Sequence, residues 1–147
     1  MQSNAGFKYI FLIGPSLIGI LALFSAGCSS GPDTSQKLPL GWMDSPAQGA
    51  VLRGTATLSG WALCEDGIEN IAVYVDRSFV QMAGKLSGAR PDVISLYPAF
   101  GGVTDMEWTA RLETGSLSPG PHDILTRAIS KRGAVRDLGS VKVTIER

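Results

Sequence analysis

Nucleophile and base chemistry is scarce in this chain. Cys28 and Cys64 are the only cysteines, and His122 is the only histidine. A thiol beside an imidazole is the one nucleophile–base pair these residues could make. Cys64 ends the apolar run Gly60-Trp61-Ala62-Leu63-Cys64 and is followed by Glu65 and Asp66, whereas a reactive thiolate needs neighbouring cations. It is read as a small buried hydrophobe. His122 follows Pro121 and is read as a fold residue beside a turn. Glu65, Asp66 and Glu69 collect carboxylates in one loop, the oxygen donors that Ca²⁺ prefers, but without EF-hand spacing. A solvated acidic turn is the expected reading. No GxSxG, HExxH or Walker sequence occurs, and no carboxylate pair for glycoside hydrolysis can be assigned from spacing. The expectation is a non-catalytic chain with no catalytic residue, no metal site and no cofactor.

Cys28 belongs to a different chemistry. Tyr9 to Ala26 carries no charge, Lys8 supplies the only positive charge before it, and Gly14-Pro15 interrupts the run. The run sits at the upper edge of a secretory h-region, usually about 7–15 residues, and near the ~18–20 that span a bilayer. Small residues then precede a cysteine, in Leu23-Phe24-Ser25-Ala26-Gly27-Cys28. This segment resembles the lipobox of bacterial lipoproteins, with Ser25 where Leu is commonest. The resemblance implies cleavage after Gly27 and lipid (palmitate-type acyl chains) on Cys28. An uncleaved signal anchor is the alternative. One acyl chain alone gives only reversible membrane binding, so the two or three chains implied would make the anchor stable. Ser29, where an Asp tends to retain such proteins at the inner membrane, implies the outer membrane if the organism is Gram-negative.

Loss of residues 1–27 removes Lys8 alone among the charged residues, so the remaining net charge is near −1. The charges are scattered and form no basic patch. That excludes a nucleic-acid partner, whose phosphates demand a cationic surface, and electrostatic docking on anionic lipid. Residues 28–40 are polar, with Ser, Gly and Pro, and are read as a lipidated flexible tether. Residues 41–147 are read as one domain, large enough to hold its own core without a disulfide.

The positioning elements are short alternating runs. Gly54 to Ala62 reads as a strand, with Ala56, Leu58 and Ala62 on one face and Thr55, Thr57 and Trp61 on the other, and with Gly60 as a site for a bulge. Ile71, Val73 and Val75 form the next apolar face. Phe79 to Ala83 pairs back across Asp76-Arg77-Ser78. Asp92 is expected to cap a single helical turn that Pro98 ends. Met106, Trp108, Ala110 and Leu112 mark a strand with one wet face; His122, Ile124, Thr126 and Ala128 mark another; Val141, Val143 and Ile145 mark the last. Trp61 and Trp108 are core candidates, and Trp42 is placed over a sandwich edge.

In order along the chain stand Asp44-Ser45-Pro46, Gly60-Trp61-Ala62, Val73-Tyr74-Val75-Asp76, Arg90-Pro91-Asp92-Val93, Tyr97-Pro98, Gly120-Pro121-His122 and Arg127-Ala128. This series resembles an Ig-like bacterial module with a "GWA…VDG…RPDV…G.H" signature, found in exported proteins and beside enzyme domains. Arg77 stands where that module usually has Gly, and Thr126 where it has an aliphatic residue. The resemblance implies an all-β, Ig-like antiparallel sandwich of about seven strands with one short helical turn. In that topology Cys64 and His122 lie at opposite poles, roughly 20 Å apart, where a dyad needs about 3 Å. Arg90, Asp92 and Tyr97 form the candidate ligand-contacting loop; the structural alternative pairs Arg90 with a carboxylate such as Asp76. The functional expectation is a membrane-anchored lipoprotein of the bacterial cell envelope displaying a binding or assembly module for a protein or glycan. A small envelope enzyme using Cys64, or a purely structural lipoprotein, are the alternatives.

Overall fold

Strand alternation builds two facing sheets. The structure, a computed structural model, describes residues 37–147. Cys28, the leader and the first part of the tether lie outside the described residues. Among the described residues there are eight strands: β1 Leu40–Ser45, β2 Val51–Leu52, β3 Thr55–Leu63, β4 Ile68–Val75, β5 Ser78–Met82, β6 Glu107–Glu113, β7 Gly120–Ser130 and β8 Val135–Ile145. One sheet has the order β1-β3-β6 and the other β2-β8-β7-β4-β5. All pairings are antiparallel except the two-residue β2, which runs parallel to β8. The all-β sandwich read from the sequence is therefore the fold, with one more strand than counted.

The facing sides hold the core. Ala56, Leu58 and Ala62 of β3 meet Ile71, Val73 and Val75 of β4, with Trp108, Ala110 and Leu112 of β6 and Ile124 and Ala128 of β7, all buried. Gly60 does not reverse β3: alternation runs through it, and the irregularity lies in β1, between Met43 and Ser45. Gly60 is instead the position where Trp108 fits, because the two residues are direct partners across β3 and β6. A Cβ at position 60 would come within 2.6 Å of Trp108 Cζ2. Bulky aromatic and absent side chain fill one space.

Among the described residues, two buried side-chain polar atoms have no partner, the Trp108 Nε1 and the Thr126 hydroxyl. Thr126 is fully buried in β7, where the resemblance led to an aliphatic residue, and its hydroxyl is unsatisfied. An unsatisfied buried hydroxyl costs about 1–3 kcal/mol. Thr126→Val keeps the shape and removes that cost. It is expected to raise unfolding free energy by about 1 kcal/mol in denaturant titration; a loss of stability would show that the hydroxyl is satisfied after all.

The β4–β5 hairpin is tighter than expected. Val75 pairs with Ser78, leaving Asp76 and Arg77 as a two-residue turn, and both have positive φ, 50° and 68°. Twist matching favours that left-handed turn between strands. Arg77 adopts it without being glycine, and Asp76 is held there by bonds to β7 described below.

A second, smaller cluster lies on the outer face of the three-stranded sheet. Helix α1, Pro91–Leu96, and a 3₁₀ turn at Pro98–Phe100 cover Leu63, and Val93 and Met106 are buried with it. Pro91 takes the first helical position, where its missing N–H is not needed. Arg90 is therefore the N-cap, extended at φ −116°, and no side chain caps the helix. Asp92, expected as the cap, is the second helical residue. Pro98 ends the helix as expected.

Candidate functional site

The outer face of β1 and β3 carries aromatic residues that the core does not use. Met43 points inward, so its neighbour Trp42 points outward and is 61% exposed. Trp42 pairs directly with Trp61 across the strands. Such a pair sets Cβ atoms about 4.5–5.5 Å apart on one face. Trp61, expected in the core, is half-buried because its parity on β3 is opposite to that of Ala62. Tyr97, at the C-cap of α1, packs against Trp61 with ring centroids 5.8 Å apart and planes tilted by 47°. These rings line a cleft of about 360 Å³ whose other wall is Arg136, Asp137 and Leu138 of β8. Its polar groups are held from behind. Arg127 donates to Asp137 through Nε at 2.6 Å and Nη2 at 3.3 Å, and this pairing raises the Arg127 pKa. Arg136 reaches the Pro39 carbonyl at 3.4 Å.

The Arg90 loop positions this cleft. The β1 irregularity leaves Asp44 without a strand partner, and such bulges re-aim a side chain. Its carboxylate accepts from Arg90 Nη1 at 2.7 Å. Arg90 also grips Asp92 with Nε and Nη2, at 2.9 and 2.7 Å, and Glu107 lies 3.9 Å away. The bidentate bond holds Asp92 at a pKa of about 2, and Asp92, then Asp44, raise that of Arg90. Arg90 thus ties α1 to β1 and β6, which sets Tyr97 over Trp61. Its carboxylate partner is Asp44 rather than Asp76. Of the three loop residues singled out in the sequence, Tyr97 lines the cleft, while Arg90 and Asp92 spend their charges on each other.

Asp76 instead serves His122. The imidazole Nδ1 lies 2.6 Å from Asp76 Oδ2, and Nε2 lies 2.8 Å from the Ser118 carbonyl. Asp76 Oδ1 accepts the Asp123 N–H at 2.9 Å. The Ser118 carbonyl and the Asp76 carboxylate together raise the His122 pKa. The Asp123 N–H and the imidazole lower that of Asp76. Neither partner of His122 was read from the sequence: Asp76 lies 46 residues away, and Ser118, four residues before it, contributes a backbone carbonyl that no residue type marks.

Cys64 is far from this pair. Ile68 pairs with Ser130 at one end of β4 and β7, and Val75 with Ile124 at the other. Cys64 precedes the first end and His122 lies beyond the second, so a strand length of about 25 Å separates them. The Cys64 thiol donates to the Lys37 carbonyl at 3.3 Å. In the acidic loop, Glu65 pairs with Lys37 at 3.5 Å and Asp66 with Arg132 at 3.2 Å. A second cavity of about 660 Å³ opens at this pole, with Cys64, Lys85, Asp105 and Lys131 on its walls. Among the described residues no cluster of His, Cys, Asp or Glu is set to hold a metal.

Comparison with known proteins bears on the fold. No protein-family model and no curated protein matches the chain. Solved structures do. The fibronectin(III)-like modules of CbhA from Clostridium thermocellum align over 75% of the chain at 17% identity, TM-score 0.51. The endo-beta-1,4-mannanase from Thermotoga petrophila aligns over 80% at 13% identity, TM-score 0.51. The chain spans 47% of the first of these and 21% of the second. The domain is an Ig-like, fibronectin-III-like β-sandwich. Arg136 and Asp137 are cleft residues that sequence reasoning did not single out, whereas Trp42 was placed over a sandwich edge without a role in a site. One signal was there: Trp42 and Trp61 each stand one residue out of phase with their strand's inward positions, Met43 and Ala62.

Proposed function

We propose that this chain is a non-catalytic recognition module held at a bacterial membrane by lipid on Cys28, with the cleft between β1 and β8 as its ligand-binding face. The ligand is a protein or glycan of the envelope. The observation that carries the reading is the exposed Trp42 opposite Trp61, in a concave site that also presents fixed polar groups. Concave sites with aromatic walls and a few convergent polar groups are the usual form of ligand pockets. Anchoring is supported by the Leu23–Cys28 segment and by the Ser/Gly/Pro-bearing stretch after it.

Two measurements test the two halves. Intact-mass spectrometry of the membrane-extracted protein is expected to show a chain beginning at Cys28 and carrying acyl chains, and Cys28→Ala is expected to leave unprocessed precursor. A chain that stays in the membrane fraction with residues 1–27 attached and no lipid establishes the signal anchor instead. For recognition, cross-linking in whole envelopes is expected to yield an adduct that Trp42→Ala loses. Equal adducts from both proteins remove the cleft as the binding face.

A further inference from the structure

The cleft has a lining that selects for one class of ligand. Its aromatic wall is apolar but not flat, because Trp61 and Tyr97 meet at 47° and Trp42 stands beside them. Its polar wall has one cation and one anion, Arg136 and Asp137, so the lining carries no net charge. What the wall offers is a set of directed donors and acceptors. Arg136 has five N–H groups and uses one on Pro39. Asp137 accepts from Arg127 and keeps lone pairs free on both oxygens. Both groups are already oriented, which lowers the ordering cost of binding.

A protein strand is a poor fit. Recognition of an extended peptide uses a free sheet edge, and β1 is the edge of its sheet. β8 lies against β1 there: a Cβ at Gly139 would lie 3.8 Å from Met43 Cβ, and the Pro39 carbonyl just before β1 accepts from Arg136. Apart from the backbone at Gly41, the site offers side chains. A ligand that suits it has an apolar face to lie on indole and phenol rings, a rim of hydroxyls that each donate and accept, and no charge.

We infer that the cleft binds a neutral glycan, with a pyranose ring lying on Trp42 and Trp61 and its hydroxyls bonded to Arg136 and Asp137. This rests on the cleft being the binding face. Tyr97 closes the end of the site, and the Arg90 clamp holds it there.

The test is native affinity electrophoresis of the full, lipidated protein in Triton X-100, whose headgroup carries no sugar. Gels contain hydroxyethylcellulose, galactomannan, laminarin or dextran, with polygalacturonate as an anionic control. At least one neutral polymer is expected to retard the protein more than polygalacturonate does. Trp42→Ala is expected to weaken that binding about tenfold or more, as loss of an aromatic anchor does, while Trp42→Phe retains most of it. Trp42 is mostly exposed, so the thermal unfolding midpoint should be the same in all three proteins, which separates lost contact from lost fold. Unchanged mobility in all four neutral polymers overturns the inference, as does stronger retardation by polygalacturonate or equal retardation of Trp42→Ala. If envelope cross-linking still yields a protein adduct that Trp42→Ala loses while every neutral polymer fails, the glycan is wrong and the binding face stands. If both assays ignore position 42, both fall.

Discussion

Gly60→Ala is expected to lower unfolding free energy by about 3 kcal/mol, at the upper end of the usual cost of overpacking a close-packed core. In a domain of this size that corresponds to a fall of roughly 15 °C in the unfolding midpoint. One methyl group does this because it has nowhere to go. On one side it meets the Trp108 ring, 2.6 Å from Cζ2 and 2.9 Å from Cε2, and on the other the Trp42 carbonyl. Trp108 is fully buried, so its ring cannot swing into solvent. Relief must come from moving β1 off β3, which also separates Trp42 from Trp61. The substitution should therefore weaken the cleft as well as the fold. Gly102→Ala is the control: a Cβ there meets no atom within 4 Å, and the expected change is within about 0.5 kcal/mol. Thermal unfolding followed by circular dichroism reads both. A shift of a degree or less in Gly60→Ala would mean that Trp108 has a second accommodation in the core.

The sheet faces were legible wherever a strand alternated strictly. β3, β4, β6 and β7 read correctly from apolar parity, since every second side chain on a half-buried strand must enter the core. Where parity is weak, so was the reading. β8 begins at Val135, but Val135 is exposed and Leu138 is the only buried residue before Val143, so only its end from Val141 showed. β1 is short and broken by its irregularity, and β2 has two residues with no buried side chain. The helix start moved because proline at the first helical position outweighs a capping side chain whose carboxylate is already taken by Arg90. The candidate site was legible in part. Tyr97 was found, but the cleft depends on β1 lying against both β3 and β8, a relation between residues about 95 apart that no local pattern carries. Arg90 admitted both a ligand-contact and an anchor reading because one of its two bonded carboxylates, Asp44, is 46 residues away, although the other, Asp92, is its near neighbour.

Asp76→Ala should destabilise the domain by about 2 kcal/mol near pH 6, and the size of that loss should depend on pH in both directions. Asp76 holds a left-handed turn position that alanine adopts poorly, and its removal leaves Nδ1 of His122, whose side chain is 8% exposed, without an acceptor. An unsatisfied buried donor costs about 1–3 kcal/mol; the half-exposed carboxylate argues for the middle of that range. The charge adds the pH dependence. His122 has a raised pKa in the folded state, so its contribution is complete below the unfolded value near 6.5 and disappears as pH rises through the folded value. Asp76 has a lowered pKa, so its contribution is complete above 3.8 and disappears as pH falls through the folded value. Between about pH 4 and 6.5 both are present, and there the gap between wild type and Asp76→Ala should be widest. Asp76→Asn separates geometry from charge. Asparagine tolerates the turn and still accepts the Asp123 N–H, but it offers imidazolium no counter-charge. It should recover part of the lost stability and flatten the profile on both sides. Denaturant titrations of the three proteins from pH 3 to 9 read this directly. A gap that stays constant from pH 5 to 9 would mean that His122 is neutral throughout, and that its bond to Asp76 works without a charge.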